Sequence, residues 1–285
     1  MPGVRTAGRA ALKALIAFAA LALVIVVAYA IDTRGEPEVA RNVTLSGEDV
    51  GGLTRAELAP RVANLAERVR TAEIRIRAPE GGIDTTAVAL GVTVREAATV
   101  EATLGVGRDG NILRRITEWL RSFAADSRAP VELTSSEPDV FAVVTDKDPG
   151  PKEPAIEPSI AFDDGEFVVV EGKDGEGIDP RDVIDALPEA AATGVPLLVE
   201  VDRGDVGPRF DDTDAEALAV EAKERVDAME LRAGGRKLAL PASEVGTWLT
   251  AEPAREGLLL GVKPDAAMTS LEKAFDDVGK APVET

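Results

Sequence analysis

The chain has 285 residues, a net charge of −19 at neutral pH, no cysteine and no histidine. Without cysteine there are no disulfides, thiolate metal sites or cysteine nucleophiles. Without histidine there is no Ser–His or Cys–His catalysis and no imidazole zinc site, so an enzyme would be left with carboxylate acid–base chemistry, a serine–lysine pair or an oxygen-ligated metal.

The charge is uneven. The first 31 residues hold Arg5, Arg9 and Lys13 and no acid, so the remainder carries all 51 acidic residues against 29 of the 32 basic ones. Such a field repels nucleic acid and gives no long-range attraction to acidic polymers, so binding must come from local contacts. From Ala14 to Ile31 the chain reads ALIAFAALALVIVVAYAI, without a charge. As a helix this stretch would rise about 27 Å, close to the hydrocarbon thickness of a bilayer. Basic residues before it, and Asp32, Glu36 and Glu38 after it, place the N-terminus in the cytoplasm. The expectation is a single-pass cell-membrane protein with a cytoplasmic basic segment (1–13), a transmembrane signal anchor (14–31), a linker (32–42) and an extracytoplasmic remainder. Ala28-Tyr29-Ala30 also has the form of a cleavage site, so a removed signal peptide is the competing reading.

Thr54-Arg55-Ala56-Glu57 has the capping-box pattern, and Leu58, Val62, Leu65 and Val69 follow at helical spacing, with Pro60 expected to kink or shorten the helix. Glu73-Ile74-Arg75-Ile76-Arg77 alternates like a half-buried strand, Gly81-Gly82 is read as its turn, and Val88, Leu90 and Val92 as a return strand. The order recurs in Thr213-Asp214-Ala215-Glu216, the stripe Leu218, Ala222, Val226 and Met229, Glu230-Leu231-Arg232, Gly234-Gly235, and Leu238 to Leu240. Two copies of one helix–hairpin module are therefore expected, at 43–201 and 206–285, the second incomplete.

Between the copies, Ile112, Leu113, Ile116, Trp119, Leu120 and Phe123 build an amphipathic helix, and Pro130 to Thr134 reads as a strand. Asp148-Pro149-Gly150-Pro151-Lys152-Glu153-Pro154 holds no regular element and marks a linker or long loop. Ser159 to Val170 reads as a hairpin turned at Asp164-Gly165. Asp179-Pro180 is a good helix start, Gly194 a good stop, and Val195 to Val201 a strand.

Four motifs invite chemistry. Gly105-Val106-Gly107-Arg108-Asp109-Gly110 matches G-x-G-x-x-G, but the alanine-rich Glu96 to Ala102 before it reads as helix where a dinucleotide site needs a buried strand, so a helix–turn–helix joint is expected. Glu171-Gly172-Lys173-Asp174-Gly175-Glu176-Gly177 places lysine among the would-be calcium ligands and reads as a solvated acidic loop. Asp163-Asp164 and Asp211-Asp212 fit turn or cap positions, and Trp119 and Trp248 are sugar platforms or, more simply, core.

Several of these residues together resemble a known family. Val50-Gly51-Gly52-Leu53-Thr54-Arg55-Ala56-Glu57, Leu90-Gly91, Val106-Gly107-Arg108-Asp109-Gly110-Asn111, and Val170-Glu171-Gly172 with Gly177-Ile178-Asp179 are similar to the YoaR-like peptidoglycan-binding domain. This is the accessory module found before the VanW domain of vancomycin-resistance-type proteins and before some L,D-transpeptidase domains. No VanW-like or transpeptidase segment follows, so a short form or a fragment of a longer VanW-type protein is expected.

The expected fold class is α+β, an N-terminal transmembrane helix followed by one complete and one partial copy of a helix–hairpin-containing module. The resemblance implies a non-catalytic tandem-repeat protein that binds peptidoglycan or positions cell-wall assembly proteins, anchored in the membrane by its N-terminal helix and without nucleic acid as a partner. The alternatives are a protein-interaction scaffold for wall-synthesis enzymes without glycan contact and a carboxylate-dependent hydrolase. No catalytic, cofactor-binding or metal residue is assigned, no cofactor is expected, and the ligand-binding residues are not specified.

Overall fold

The computed structural model describes residues 4–32, 35–108, 110–150, 152–227, 231–233, 236–238 and 241–275. The helices among the described residues are α1 (Val4–Asp32), α2 (Arg55–Arg70), α3 (Glu96–Gly105), α4 (Ile112–Arg121), α5 (Glu137–Lys147), α6 (Pro180–Thr193), α7 (Asp212–Asp227), α8 (Ala242–Gly246) and α9 (Pro264–Phe275). Short strands alternate with them, and the chain divides into two compact units. The first comprises Met1–Ile76, Asp84–Ser136 and Ile184–Glu200; the second comprises Arg77–Ile83, Glu137–Val183 and Val201–Thr285.

Among the described residues no helix is long and apolar enough to cross a membrane. The expected fold class, α+β behind a transmembrane helix, is therefore corrected to a mixed α/β chain with nine helices among the described residues. The transmembrane segment, the signal anchor, the membrane as a partner through the N-terminal helix and the single-pass cell-membrane localisation fall with it. In α1 the described side chains run only over 15–31; in its last turn Tyr29 is buried, edge-on to the Trp119 ring, while Ile31 is exposed.

In the first unit, α2 forms where the capping signal places it. The Glu57 carboxylate reaches back to accept from the Thr54 amide (3.0 Å) and hydroxyl (2.8 Å). These bonds hold the Glu57 carboxyl below its ordinary range, the amide bond contributing most. The stripe Leu58, Val62, Leu65 and Val69 is buried along its whole length, and α2 packs on α3. The helix runs through Pro60 as one element rather than starting after it. Ile74 and Ile76 are buried while Glu73, Arg75 and Arg77 face out, as period-2 alternation requires. The return strand differs from expectation. It is Gly81–Thr86, so the glycine pair opens the strand; Glu80, at φ 66°, is in the turn before it. Leu90 and Val92 are buried from a turn and Val88 is exposed, because Gly91 (φ 61°) bends the chain there. The strand expected over Pro130 to Thr134 shrinks to Leu133–Thr134, paired antiparallel with Thr93–Val94.

The second unit is built on two hairpins. Ser159–Asp163 pairs with Glu166–Val170, Phe162 opposite Phe167, across a two-residue turn in which Asp164 and Gly165 have φ of 46° and 89°. Positive φ at both turn positions is what the right-handed twist of a tight hairpin demands, and Asp-Gly supplies it cheaply. Leu249–Pro253 pairs with Leu258–Val262, and α7 packs on both hairpins. Ile160, Ala215, Leu218, Ala222, Val226, Val245, Trp248, Leu249 and Ala267 form the core. The start of α7 is two residues earlier than its sequence box. Asp211 Oδ1 accepts from the Asp214 amide (3.0 Å), while the Asp211 amide donates to Asp214 Oδ2 (3.1 Å). The shorter Asp side chains close the box that Thr213 and Glu216 were expected to make. Met229 and the Gly234-Gly235 turn of the expected second copy lie outside the described residues.

Candidate functional site

Two concave regions stand out, one in each unit. In the first, α4 sets the geometry. The Asn111 side chain caps the helix, accepting from the Arg114 amide at 3.0 Å. Although the helix is strongly amphipathic, none of its residues is buried, and Ile112, Leu113 and Leu120 are exposed. Trp119 and Phe123, four residues apart, share a face. Their rings meet edge-to-face at 5.1 Å and 85°, and Tyr29 meets Trp119 edge-to-face at 5.9 Å and 80°. The chain has only ten aromatic residues, its one tyrosine and one of its two tryptophans among these three rings. The Arg41 guanidinium sits 4.8 Å over the Phe123 ring, a cation on the negative face of the π system.

Beside Trp119 lies a cavity of about 180 Å³, lined by Tyr29, the loop Glu38–Arg41, Gly52, Val106–Arg108, Glu118 and Ser122. Its walls are tied together. The Asn42 side-chain amide donates to the Ser122 carbonyl (2.8 Å), the Ser122 hydroxyl to the Trp119 carbonyl (2.7 Å), and an Arg108 guanidinium N–H to the Glu38 carbonyl. The G-x-G-x-x-G run is one wall of this cavity. It joins α3 to α4 with Gly107 and Gly110 at φ 74° and 92°, in place of the strand-to-helix turn of a nucleotide site; Asp109 lies outside the described residues. A Cβ on Gly107 would come 3.8 Å from Glu118 Cβ, an ordinary contact, so its role is the backbone turn.

In the second unit a groove of about 270 Å³ lies between α5, the proline-rich segment and the acidic–glycine motif, with Phe141, Asp148, Glu157, Glu176 and Arg209 on its walls. Asp148 and Arg203 form a fork at 2.7 and 2.9 Å, with side chains 3 % and 11 % exposed. The Asp148 carboxylate also accepts from the amides of Gly150 (3.0 Å) and Ile178 (3.3 Å). Burial works to raise the Asp148 carboxyl, but the Arg203 fork and the two amides outweigh it and hold it below the ordinary carboxylate range. Gly175 of the acidic–glycine motif is explained by close backbone approach. Glu153 and Ile156 bridge to Glu176 and Lys173, and a Cβ on Gly175 would fall 2.1 Å from the Glu153 carbonyl oxygen. Glu157 accepts the amides of Arg209 and Phe210, both at 3.0 Å, and the guanidinium groups of Arg181 and Arg209 lie over the Phe141 ring at 5.1 and 5.9 Å.

The remaining sequence candidates have structural roles. Asp163 and Asp164 close the hairpin, Asp211 caps α7, and Trp248 is core, its indole N–H donating to the Ser270 hydroxyl at 3.1 Å. Among the described residues no cluster of acids could hold a metal ion. Trp119 lines the first cavity, whereas Trp248 belongs to the core of the second unit. The Trp119 partner Arg108 falls in the G-x-G-x-x-G run, whereas nothing in the sequence joins Tyr29 or Arg41 to Trp119, because segments far apart in the chain bring them together.

Residues 83–197 match the family described as "Putative peptidoglycan binding domain". The match supports the peptidoglycan-binding part of the expected resemblance and carries nothing specific to YoaR-like or VanW-associated proteins. No curated protein and no solved structure matches the chain. Val106–Arg108, Glu118, Trp119 and Ser122 of the aromatic cavity lie within the matched stretch, as do α5, the proline-rich segment and the acidic–glycine motif of the groove.

Proposed function

We propose that this protein binds peptidoglycan and works by holding the polymer rather than by transforming it. The observation that carries the reading is the match of residues 83–197 to a peptidoglycan-binding family. A binding module accords with a chain whose lack of histidine and cysteine rules out Ser–His and Cys–His catalysis. It also accords with the aromatic cavity, whose mixture of a flat ring and polar side chains suits an uncharged, hydroxyl-rich ligand.

Co-sedimentation of the full chain with purified sacculi tests this. At −19, the chain has no net electrostatic attraction to an acidic wall. Retention therefore reports local contacts, and it should persist in about 0.15 M salt, where exposed charges are screened beyond about 8 Å. Pelleting no greater than that of an unrelated acidic protein of similar size would reject the proposal.

A further inference from the structure

Resting on that reading, we infer that the cavity beside Trp119 is the glycan subsite and takes one N-acetylated hexosamine ring of the sugar strand. The chemistry of the lining points to a sugar rather than to the stem peptide. A pyranose has one face of C–H bonds, weakly positive at hydrogen, which matches the negative face of an indole, and a rim of hydroxyls that both donate and accept. The cavity offers that combination: Trp119 as the flat apolar surface, Arg41 and Arg108 as donors, Glu38 and Glu118 as acceptors, and the Ser122 hydroxyl, whose proton goes to the Trp119 carbonyl, as a further acceptor.

Charge separates the candidates further. Two arginines and two glutamates give the lining no net formal charge, so a neutral ring enters without leaving a buried charge uncompensated. A stem peptide, which carries free carboxylates, would meet Glu38 and Glu118 as well as the arginines. Size agrees. At about 180 Å³ the cavity is smaller than the roughly 300–1,000 Å³ of pockets that enclose whole drug-sized ligands. It holds one ring of a longer chain and leaves the neighbouring rings outside. Rigidity agrees too: the edge-to-face contacts with Tyr29 and Phe123 fix the indole before any ligand arrives, so little ordering is left to be done on binding.

The test titrates the full chain with two probes, a peptide-free N-acetylglucosamine tetrasaccharide and a glycan-free stem peptide. Calorimetry gives affinity. Tryptophan emission of a Trp248→Phe variant, in which Trp119 is the only indole, reports the site. The tetrasaccharide should bind and shift that emission, and Trp119→Ala should weaken its affinity at least tenfold. Trp119→Phe, which keeps a flat ring and guards against loss of folding in the alanine variant, should recover part of the loss. Binding of the stem peptide without the tetrasaccharide would overturn the assignment, as would tetrasaccharide binding that leaves Trp119 emission and Trp119→Ala affinity unchanged. Either of those results, with sacculus retention intact, moves the site but keeps the proposed function; loss of sacculus retention altogether removes the function itself.

Discussion

Arg203→Met separates a buried ion pair from a decorative one. The wild-type Asp148 carboxylate is almost wholly enclosed and accepts four hydrogen bonds, two from the Arg203 fork. Methionine keeps most of the side-chain volume and removes both guanidinium donors, leaving a buried carboxylate with two amides. Breaking a buried pair from one side costs about 3–5 kcal/mol, against the roughly 0–1 kcal/mol of an exposed pair. Adding Asp148→Asn removes the stranded charge, so the double variant should recover part of the loss, with a coupling energy of about 1–3 kcal/mol. Trp248 sits in the core of the same unit, so urea unfolding followed by its emission in a Trp119→Phe background reads this unit. The sign with pH follows from the depressed Asp148 carboxyl. Its contribution is complete above the ordinary carboxylate range and is lost as pH falls through the lowered folded value, so wild type should lose stability in acid more steeply than the double variant. A loss under about 1 kcal/mol for Arg203→Met would refute the reasoning.

Gly175→Ala should destabilise the second unit severely in thermal unfolding, because its Cβ would meet backbone at 2.1 and 2.4 Å, whereas Gly194→Ala, with open space around it, should be near neutral. Leu65→Ala in the buried stripe of α2 should cost about 2–5 kcal/mol in denaturant unfolding, and Leu113→Ala on the exposed face of α4 no more than about 0.5 kcal/mol. Gly165→Val should weaken the Ser159–Val170 hairpin, since φ of 89° strains a β-branched residue; faster amide exchange at Phe162 and Phe167 would show it, and unchanged exchange would count against the turn assignment.

What the sequence disclosed was local chemistry. The α2 stripe, the alternation around Ile74 and Ile76, the Asp164-Gly165 hairpin and the Asp179-Pro180 helix start are each decided by neighbours a few residues apart, and the structure repeats them. The Asp211 box of α7 escaped because two boxes overlap there, and the shorter acids close better. The return strand escaped because Gly81 and Gly82 accept extended backbone as readily as a turn. The apolar run 14–31 satisfied a hydropathy pattern, but hydropathy says nothing of the packing that buries Tyr29 against Trp119. The aromatic cavity was legible only as Trp119 and the G-x-G-x-x-G run, not as one site. Arg41, Arg108 and Tyr29 are placed by tertiary contacts whose partners are tens of residues away, as are Asp148 and Arg203.

The most direct measurement is a saturation curve of the full chain on purified sacculi at about 0.15 M salt. Binding should saturate, and peptide-free wall glycan should compete with it. A linear uptake that no glycan displaces, equal to that of an unrelated protein of the same charge, would contradict the account.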